Sequence, residues 1–308
     1  KAAVLKKPNN SLMVTGTDMA KRWTQDAAQF VGKDSWAFEA LKELLVQERG
    51  LDLEAYKESC IYRRIFLRVR SSGHESLGSY YRALVRDPEE LDRLFQYLTI
   101  HVTEFFRNPA AYDYLKRRIL PKILLESRNA AKLRIWSVGC SSGEEPYSLA
   151  MLMLKARDEL GVSTPFTILA TDIDEKILKK GKKGYYSGDS LKNVGPRDLV
   201  RYFVQEGDGY QVKEELAKVI NFRQANILTD RPGHRKNLIV CRNLLIYLSR
   251  PRQEKVIKRF SDFLVPSGHL MLGKAETLIG QNRIYFHNIS PVERIYRKRE
   301  VPLEIEET

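Results

Sequence analysis

Apolar positions in the first third of the chain return with the period of a helix. Phe38, Leu41, Leu44 and Leu45 stand at i, i+3, i+6 and i+7, one stripe along a helix that Gly50 ends. Similar runs predict helices over Glu54–Arg70, over Leu77–Leu84, and over Glu89–Thr99 with Pro88 near its start. Residues 36–98 therefore read as a small all-α domain. Ahead of it, residues 1–35 are polar and broken by Pro8, Asn9, Asn10, Gly16 and Gly32. That composition predicts a flexible arm, with at most a helical turn around Met19–Phe30.

After Pro121 the pattern changes. Short β-rich runs at Leu133–Val138, Phe166–Thr171, Val219–Phe222, Leu238–Cys241 and His269–Leu272 alternate with helical stretches. The helices read as Glu145–Leu160, Glu175–Lys182, Pro196–Phe203 and Arg252–Leu264, and Ile284–Arg297 reads as a closing hairpin. Such alternation predicts an α/β fold with a mostly parallel, doubly wound sheet over 122–308, joined to the helical domain by a linker at 99–121.

Composition narrows the class. Hydrophobic content of 43% and charged content of 30% are those of a globular protein. No run approaches the roughly 20 apolar residues of a membrane span. Lys1–Asn10 lacks the apolar core of a signal peptide, so the chain reads as cytoplasmic. Cys60, Cys140 and Cys241 lie far apart without metal-ligand spacing, which fits a reducing compartment and predicts no metal. The net charge of +13 favours an acidic partner (nucleic acid, a membrane surface or an acidic protein) or is simply a solvated basic surface.

The most informative stretch is Ile135-Trp136-Ser137-Val138-Gly139-Cys140-Ser141-Ser142-Gly143-Glu144-Glu145-Pro146. A buried strand ends in a loop of small residues, and a helix then starts at an acidic pair. This is the place of a cofactor loop at the carboxyl edge of a doubly wound sheet, with Gly139 allowing close backbone approach. The loop is not Gly-x-Gly-x-x-Gly. Its carboxylates would repel a pyrophosphate at the helix N-terminus, so a cationic ligand without phosphate suits it better, and S-adenosylmethionine is such a ligand. The second strand runs into Asp172, a carboxylate placed to accept ribose hydroxyls. Asp174 reads as the cap of the next helix, and Asn226 can meet an adenine edge.

At this point the chain resembles the CheR chemotaxis receptor methyltransferases, over roughly residues 37–298. The matching motifs are Thr99-Ile100-His101-Val102-Thr103-Glu104-Phe105-Phe106-Arg107, Trp136-Ser137 through Gly143-Glu144-Glu145-Pro146-Tyr147-Ser148, Ala170-Thr171-Asp172-Ile173-Asp174, and Cys241-Arg242-Asn243-Leu244-Leu245-Ile246-Tyr247. The resemblance implies a class I (Rossmann-like) S-adenosylmethionine methyltransferase sheet with a small inserted β-subdomain, about 184–218, behind the all-α domain. It implies an enzyme that esterifies glutamates of methyl-accepting chemotaxis receptors and releases S-adenosylhomocysteine; a monomer that neither binds nucleic acid nor inserts in a membrane is expected.

By the same likeness, Arg107 would pair with the methionyl carboxylate, Thr103 would also touch the cofactor, Glu144 would meet its amino group and Asp172 its ribose. Asn226 and Ile227 would hold the adenine, with Asn243 and Leu244 beneath it. His101 stands where the family commonly has Asn, and it can still hydrogen-bond. Phe105 and Phe106 read equally well as core. Lys57, Arg63, Arg64, Arg68 and Arg70 on the second helix would form the receptor-docking face; Arg63 and Arg70 share one side of it, Arg64 and Arg68 another. The turn Gln205–Tyr210 is shorter than in relatives that bind a receptor's C-terminal pentapeptide, which predicts independence from that peptide.

Methyl transfer to a carboxylate that is ionised at neutral pH needs no general base, so alignment and desolvation are the expected contributions. Arg242 and Tyr247 are the candidate substrate orienters. Two rival readings are a nucleic-acid methyltransferase and a cofactor-binding regulatory module. Against the first, Asn243–Tyr247 lacks the prolines of the Asn-Pro-Pro-Tyr motif; against the second, Arg107, Glu144 and Asp172 are all present.

Overall fold

The computed structural model describes residues 16–302, with side chains from Thr24 onward. These divide into two compact units, one ending at Leu98 and the other beginning at Thr99.

The first unit is helical. Residues 16–33 correct the expectation of an arm: they form α1 (Gly16–Lys33), followed at once by α2 (Ser35–Arg49). Ala27 and Val31 of α1 are buried, and Phe30 meets Phe66 edge-on at 5.1 Å. Pro8, Asn9 and Asn10 lie outside the described residues. Gly50 ends α2 at φ 64°; its N–H reaches Val46 O, and the Leu51 N–H reaches Leu45 O, closing the last turn. A single turn, Leu53–Ala55, capped by Asp52, precedes α3 (Glu58–Ser71), which therefore starts later than Glu54. The helices α4 (Leu77–Leu84) and α5 (Pro88–Thr99) complete the unit.

The basic face of α3 divides in two, along the sides its periodicity predicts. Lys57, Arg63 and Arg70 are exposed, and the Arg70 guanidinium lies 5.6 Å from both the Phe30 and Phe66 ring centres. Arg64 bonds the Tyr97 carbonyl. Arg68 Nε donates to Glu90 Oε1 at 2.8 Å, its Nη2 pairs with Glu90 Oε2, and the Tyr80 hydroxyl donates to Glu90 Oε1 at 2.7 Å. Arg64 and Arg68 are therefore tied to α5, unlike Lys57, Arg63 and Arg70. They join α3 to α5 because a carbonyl and a buried carboxylate stand opposite them.

The second unit opens with α6 (Pro109–Tyr114), which continues through a wider π turn, Leu115–Ile119, into α7 (Leu120–Glu126). The sheet follows: β1 (Leu133–Val138), α8 (Glu144–Leu160), β2 (Phe166–Asp172) and α9 (Glu175–Lys183). An insertion then carries β3 (Tyr185–Ser187), α10 (Pro196–Tyr202), β4 (Phe203–Glu206), β5 (Gly209–Val212) and the short α11 (Glu214–Ala217). The chain returns through β6 (Ile220–Gln224), β7 (Lys236–Cys241), α12 (Arg250–Phe263) and β8 (Leu264–Leu272), and ends in the hairpin of β9 (Phe286–Ser290) and β10 (Ile295–Lys298).

Seven strands form one sheet in the order β6-β2-β1-β7-β8-β10-β9, parallel from β6 to β8 and antiparallel beyond. The inserted strands make a separate antiparallel sheet, β3-β5-β4. β1 is buried on both faces, as a central parallel strand requires. Trp136 fills one side, donating to Thr171 Oγ1 at 2.9 Å and packing edge-on against Phe260 of α12 at 5.8 Å. Leu149 and Met153 of α8 are fully buried in the core cluster that also holds Ile135.

One strand begins earlier than its composition suggests. β8 starts at Leu264, directly after α12, and takes Pro266 and Ser267 (φ 59°) into a register shift against β7. Proline is admitted to a strand at such an irregularity.

Candidate active site

The chain proceeds from β1 outward to β2 and β6, then crosses to β7 and β8 on the other side of β1. The loops leaving β1 and β7 therefore diverge at the point where ligands bind in open α/β sheets. An alanine Cβ at Gly139 would stand 3.1 Å from Leu244 Cδ2, so these two loops touch where the sheet order reverses.

The β1–α8 loop is held by backbone bonds. The N–H groups of Gly139 and Cys140 donate to Thr171 O at 2.8 and 3.0 Å. The Ser141 N–H donates to Asp172 Oδ2 at 2.9 Å, and the Asp174 N–H to Asp172 Oδ1 at 3.1 Å. Asp172 is thus a buried carboxylate that shapes the loop; burial raises its carboxyl above the usual range, and His101 opposes that rise. Gly143 must be bare: at φ 98°, a Cβ would come within 2.9 Å of the Tyr186 hydroxyl and 3.1 Å of both Gly181 Cα and Phe222.

Glu144 opens α8 and is buried, with both carboxylate oxygens receiving the Ser142 hydroxyl, at 2.9 and 2.8 Å. Burial raises its carboxyl, while the Ser142 and Thr103 hydroxyls pull it back, which brings Thr103 to this carboxylate. A phosphate at this helix start would meet a carboxylate. Glu145 accepts the Ser137 hydroxyl at 2.7 Å and keeps only a thin exposure; burial lifts it to about 7 against the pull of Arg242 and Arg107.

The segment before α6 is drawn to the same edge. Arg107 is half-buried, with Nη1 on Val102 O at 2.8 Å, and its carbonyl accepts Arg242 Nη1 at 2.8 Å. Phe105 and Phe106 are both buried in the core, and the Phe106 N–H donates to Ser148 Oγ at 3.0 Å. His101 Nε2 lies 2.8 Å from Thr99 Oγ1 and 3.0 Å from Asp174 Oδ2. Asp174 caps α9 as expected, accepting the Lys176 and Ile177 N–H groups, and burial notwithstanding, His101 holds its carboxyl below the usual range.

Beyond β6, the Ala225 N–H donates to the Asp172 carbonyl at 2.9 Å, which sets Asn226 and Ile227 beside Asp172. Asn226 Oδ1 accepts the Leu228 N–H at 2.9 Å, an Asx turn that rules out a purely ligand-facing carbonyl. After β7, Asn243 adopts φ 61° and Tyr247 ends a single helical turn, half-buried. Arg242 is 7% exposed, lies 5.2 Å from the Tyr112 ring centre and bonds Arg107 O. Its Nη1 thus ties the end of β7 to the backbone at Arg107.

Four buried polar atoms at this edge have no protein partner: His101 Nδ1, Ser141 Oγ, Arg242 Nε and Asn243 Oδ1. The carboxylates of Glu144 and Asp172 and the guanidinium of Arg107 are the groups at this edge that fit a polar ligand carrying both charges and ribose-type hydroxyls, as S-adenosylmethionine does. Glu276 is the residue that pattern reading missed; it accepts the backbone N–H groups of Asn243, Leu244 and Leu245. Among the described residues no group of three or more His, Cys, Asp or Glu is arranged for a metal, and no helix is long and apolar enough to cross a membrane.

Residues 36–99 match the family model described as the CheR methyltransferase all-alpha domain, and residues 101–294 match the CheR methyltransferase SAM binding domain. Relatives named chemotaxis protein methyltransferase include one from Listeria innocua, 37% identical over 234 residues that cover 76% of this chain and 87% of the relative. Another, from Escherichia coli, is 33% identical over 254 residues, covering 78% of this chain and 83% of the relative.

Proposed function

The chain belongs to the CheR methyltransferase family, and we propose on that premise that it transfers the methyl group of S-adenosylmethionine to glutamate carboxylates of chemotaxis receptors. The products are glutamyl methyl esters and S-adenosylhomocysteine. The observation that carries the reading is the buried Glu144 at the first turn of α8, where a phosphate-bearing cofactor would otherwise bind.

S-adenosylmethionine supplies a methyl group already activated by its sulfonium. The residues divide the rest of the work. Arg107, braced by Arg242, pairs with the methionyl carboxylate; Glu144, with Thr103, takes the amino group; and Asp172 takes the ribose hydroxyls. Asn226 and Ile227 flank the adenine, Asn243 and Leu244 form the floor under it, and Gly139 allows the backbone to approach. His101 steadies the edge through Asp174. Tyr247 orients the incoming glutamate, which arrives ionised and needs no base. Holding it in line and out of water is the catalytic contribution.

Lys57, just ahead of α3, and Arg63 and Arg70 on its exposed side suit an acidic receptor helix, where complementary charge steers the encounter. The reading is of a protein target rather than nucleic acid, and of a monomer in the cytoplasm. The β4–β5 turn contains only Gly207 and Asp208, since Glu206 already pairs with Gly209. So tight a turn supports methylation that is independent of a receptor's C-terminal pentapeptide.

Asp172→Asn tests the cofactor assignment. The new amide sets a donor against either the Ser141 or the Asp174 N–H, and affinity for S-adenosylhomocysteine in calorimetry should fall by about 30-fold or more. Unchanged affinity would remove Asp172 from the site.

A further inference from the structure

After β8 the chain turns sharply at Gly273 and brings Glu276 back under the loop that leaves β7. Glu276 is 4% exposed. Its Oε2 accepts the N–H groups of Gly273 at 2.6 Å and Asn243 at 3.0 Å. Its Oε1 accepts those of Leu244 at 2.9 Å, Leu245 at 2.7 Å and Ile246 at 3.4 Å. Successive amides that converge in this way form an anion-binding nest, here filled by a side chain of the same protein.

The nest has a demanding geometry. Asn243 sits at φ 61°, a conformation that costs a residue other than glycine free energy unless its surroundings enforce it. No side chain can grow at Gly273: a Cβ there would stand 2.6 Å from Glu276 Oε2 and 2.8 Å from the Asn243 nitrogen. A carboxylate is also the only natural side chain with two acceptor oxygens and no donor at this reach. Glutamine would point an NH₂ at two or three N–H groups whichever way it turned.

We propose that Glu276 is the positioning residue of the active site, gathering the Asn243–Ile246 amides and thereby setting where Asn243, Leu244 and Tyr247 stand. It touches neither cofactor nor substrate. The Tyr247 N–H bonds Leu244 O at 3.2 Å, so the turn that Glu276 holds is the one that carries the Tyr247 hydroxyl. The proposal rests on the reading above, in which Asn243 and Leu244 form the floor of the cofactor site and Tyr247 orients the substrate.

The test compares wild type, Glu276→Gln and Gly273→Ala, the second leaving the carboxylate intact but pushing it off the turn. S-adenosylhomocysteine affinity is measured by calorimetry, kcat and KM on receptor membranes, and the unfolding midpoint for each protein. Both variants should lose about 10- to 100-fold in cofactor affinity and in kcat, with KM for receptor unchanged. A purely structural role would lower the midpoint and leave affinity and kcat of the folded protein at wild-type values, and that result overturns the proposal. Hydrogen exchange of the wild-type protein keeps the idea testable should both variants fail to fold. The Asn243–Ile246 amides should exchange as slowly as those of β7, and exchange at the rate of an open loop refutes the clamp. A wild type that bound no cofactor would instead refute the functional reading, with the exchange result still standing on its own.

Discussion

Arg68→Ala tests whether α3 carries a fold-bearing side distinct from the proposed receptor-docking side. Arg68 and Glu90 make a two-pronged pair whose side chains are 20% and 11% exposed, and Tyr80, fully buried, adds its hydroxyl to the same carboxylate. Removing one partner of a buried ion pair costs about 3–5 kcal/mol, because the remaining charge stays desolvated. The partial exposure of Arg68 reduces this, and Arg93 Nη1, 3.5 Å from Glu90 Oε2, remains as a weak substitute. A loss of about 2–3 kcal/mol is expected. For a unit of this size that lowers the unfolding midpoint by roughly 10 °C or more. Although burial opposes it, donation from Arg68 and Tyr80 holds the Glu90 carboxyl below its usual range. The pair's contribution is therefore present above the ordinary carboxylate range and is lost as the pH falls through the folded value. Thermal and urea melts of the full chain measure the loss, beside Arg63→Glu, which lies on the exposed side of α3. Arg63→Glu should unfold within about 0.5 kcal/mol of wild type and yet methylate receptors more slowly, with a weaker dependence on salt. An Arg68→Ala protein of wild-type stability that methylated receptors poorly would refute this division of the face.

Two further outcomes follow from the site. Burial raises the Glu145 carboxyl from 4.5 in the unfolded chain to about 7. Its contribution to stability is complete below pH 4.5 and is lost as the pH rises to about 7, by at most about 3 kcal/mol and less as water from the cleft reaches it. Glu145→Gln should abolish that slope in urea melts run from pH 5 to 8; parallel curves for the two proteins would show that the carboxyl ionises normally. Gly143→Ala should cost about 2–4 kcal/mol, from the positive φ and the crowding against Tyr186, Gly181 and Phe222, and a urea midpoint equal to wild type would show that the loop can give way.

Much of the fold was readable because its central strands are uniform. Leu133–Val138 and Phe166–Thr171 are covered on both faces, so their apolar runs leave little choice of assignment. Helix α1 was hidden because its polar faces outweigh the thin stripe that holds Ala27 and Val31. The early start of β8 was hidden because Pro266 normally argues against a strand, and only the register shift against β7 admits it. Within the site, the β1–α8 loop and Asp172 were legible from local order, since strand, small-residue turn and acidic helix start are adjacent in sequence. Glu276 was not: four of its five partners lie about thirty residues away, and a carboxylate bonding amides leaves no mark on composition. The inward turn of Arg68 was invisible for a related reason. Helical periodicity told which residues share a face with it but could not say that Glu90 stands opposite. Arg242, likewise, reads as a free cation until the Arg107 carbonyl and the Tyr112 ring are seen beside it.

The most direct test of the proposed activity is transfer of a radiolabelled methyl group from S-adenosylmethionine to receptor-containing membranes, with the base-lability of the label measured afterwards. Base-labile label on the receptor is the expected result, because a glutamyl methyl ester hydrolyses in alkali. Base-stable label, or label appearing on nucleic acid instead, would contradict esterification of receptor glutamates.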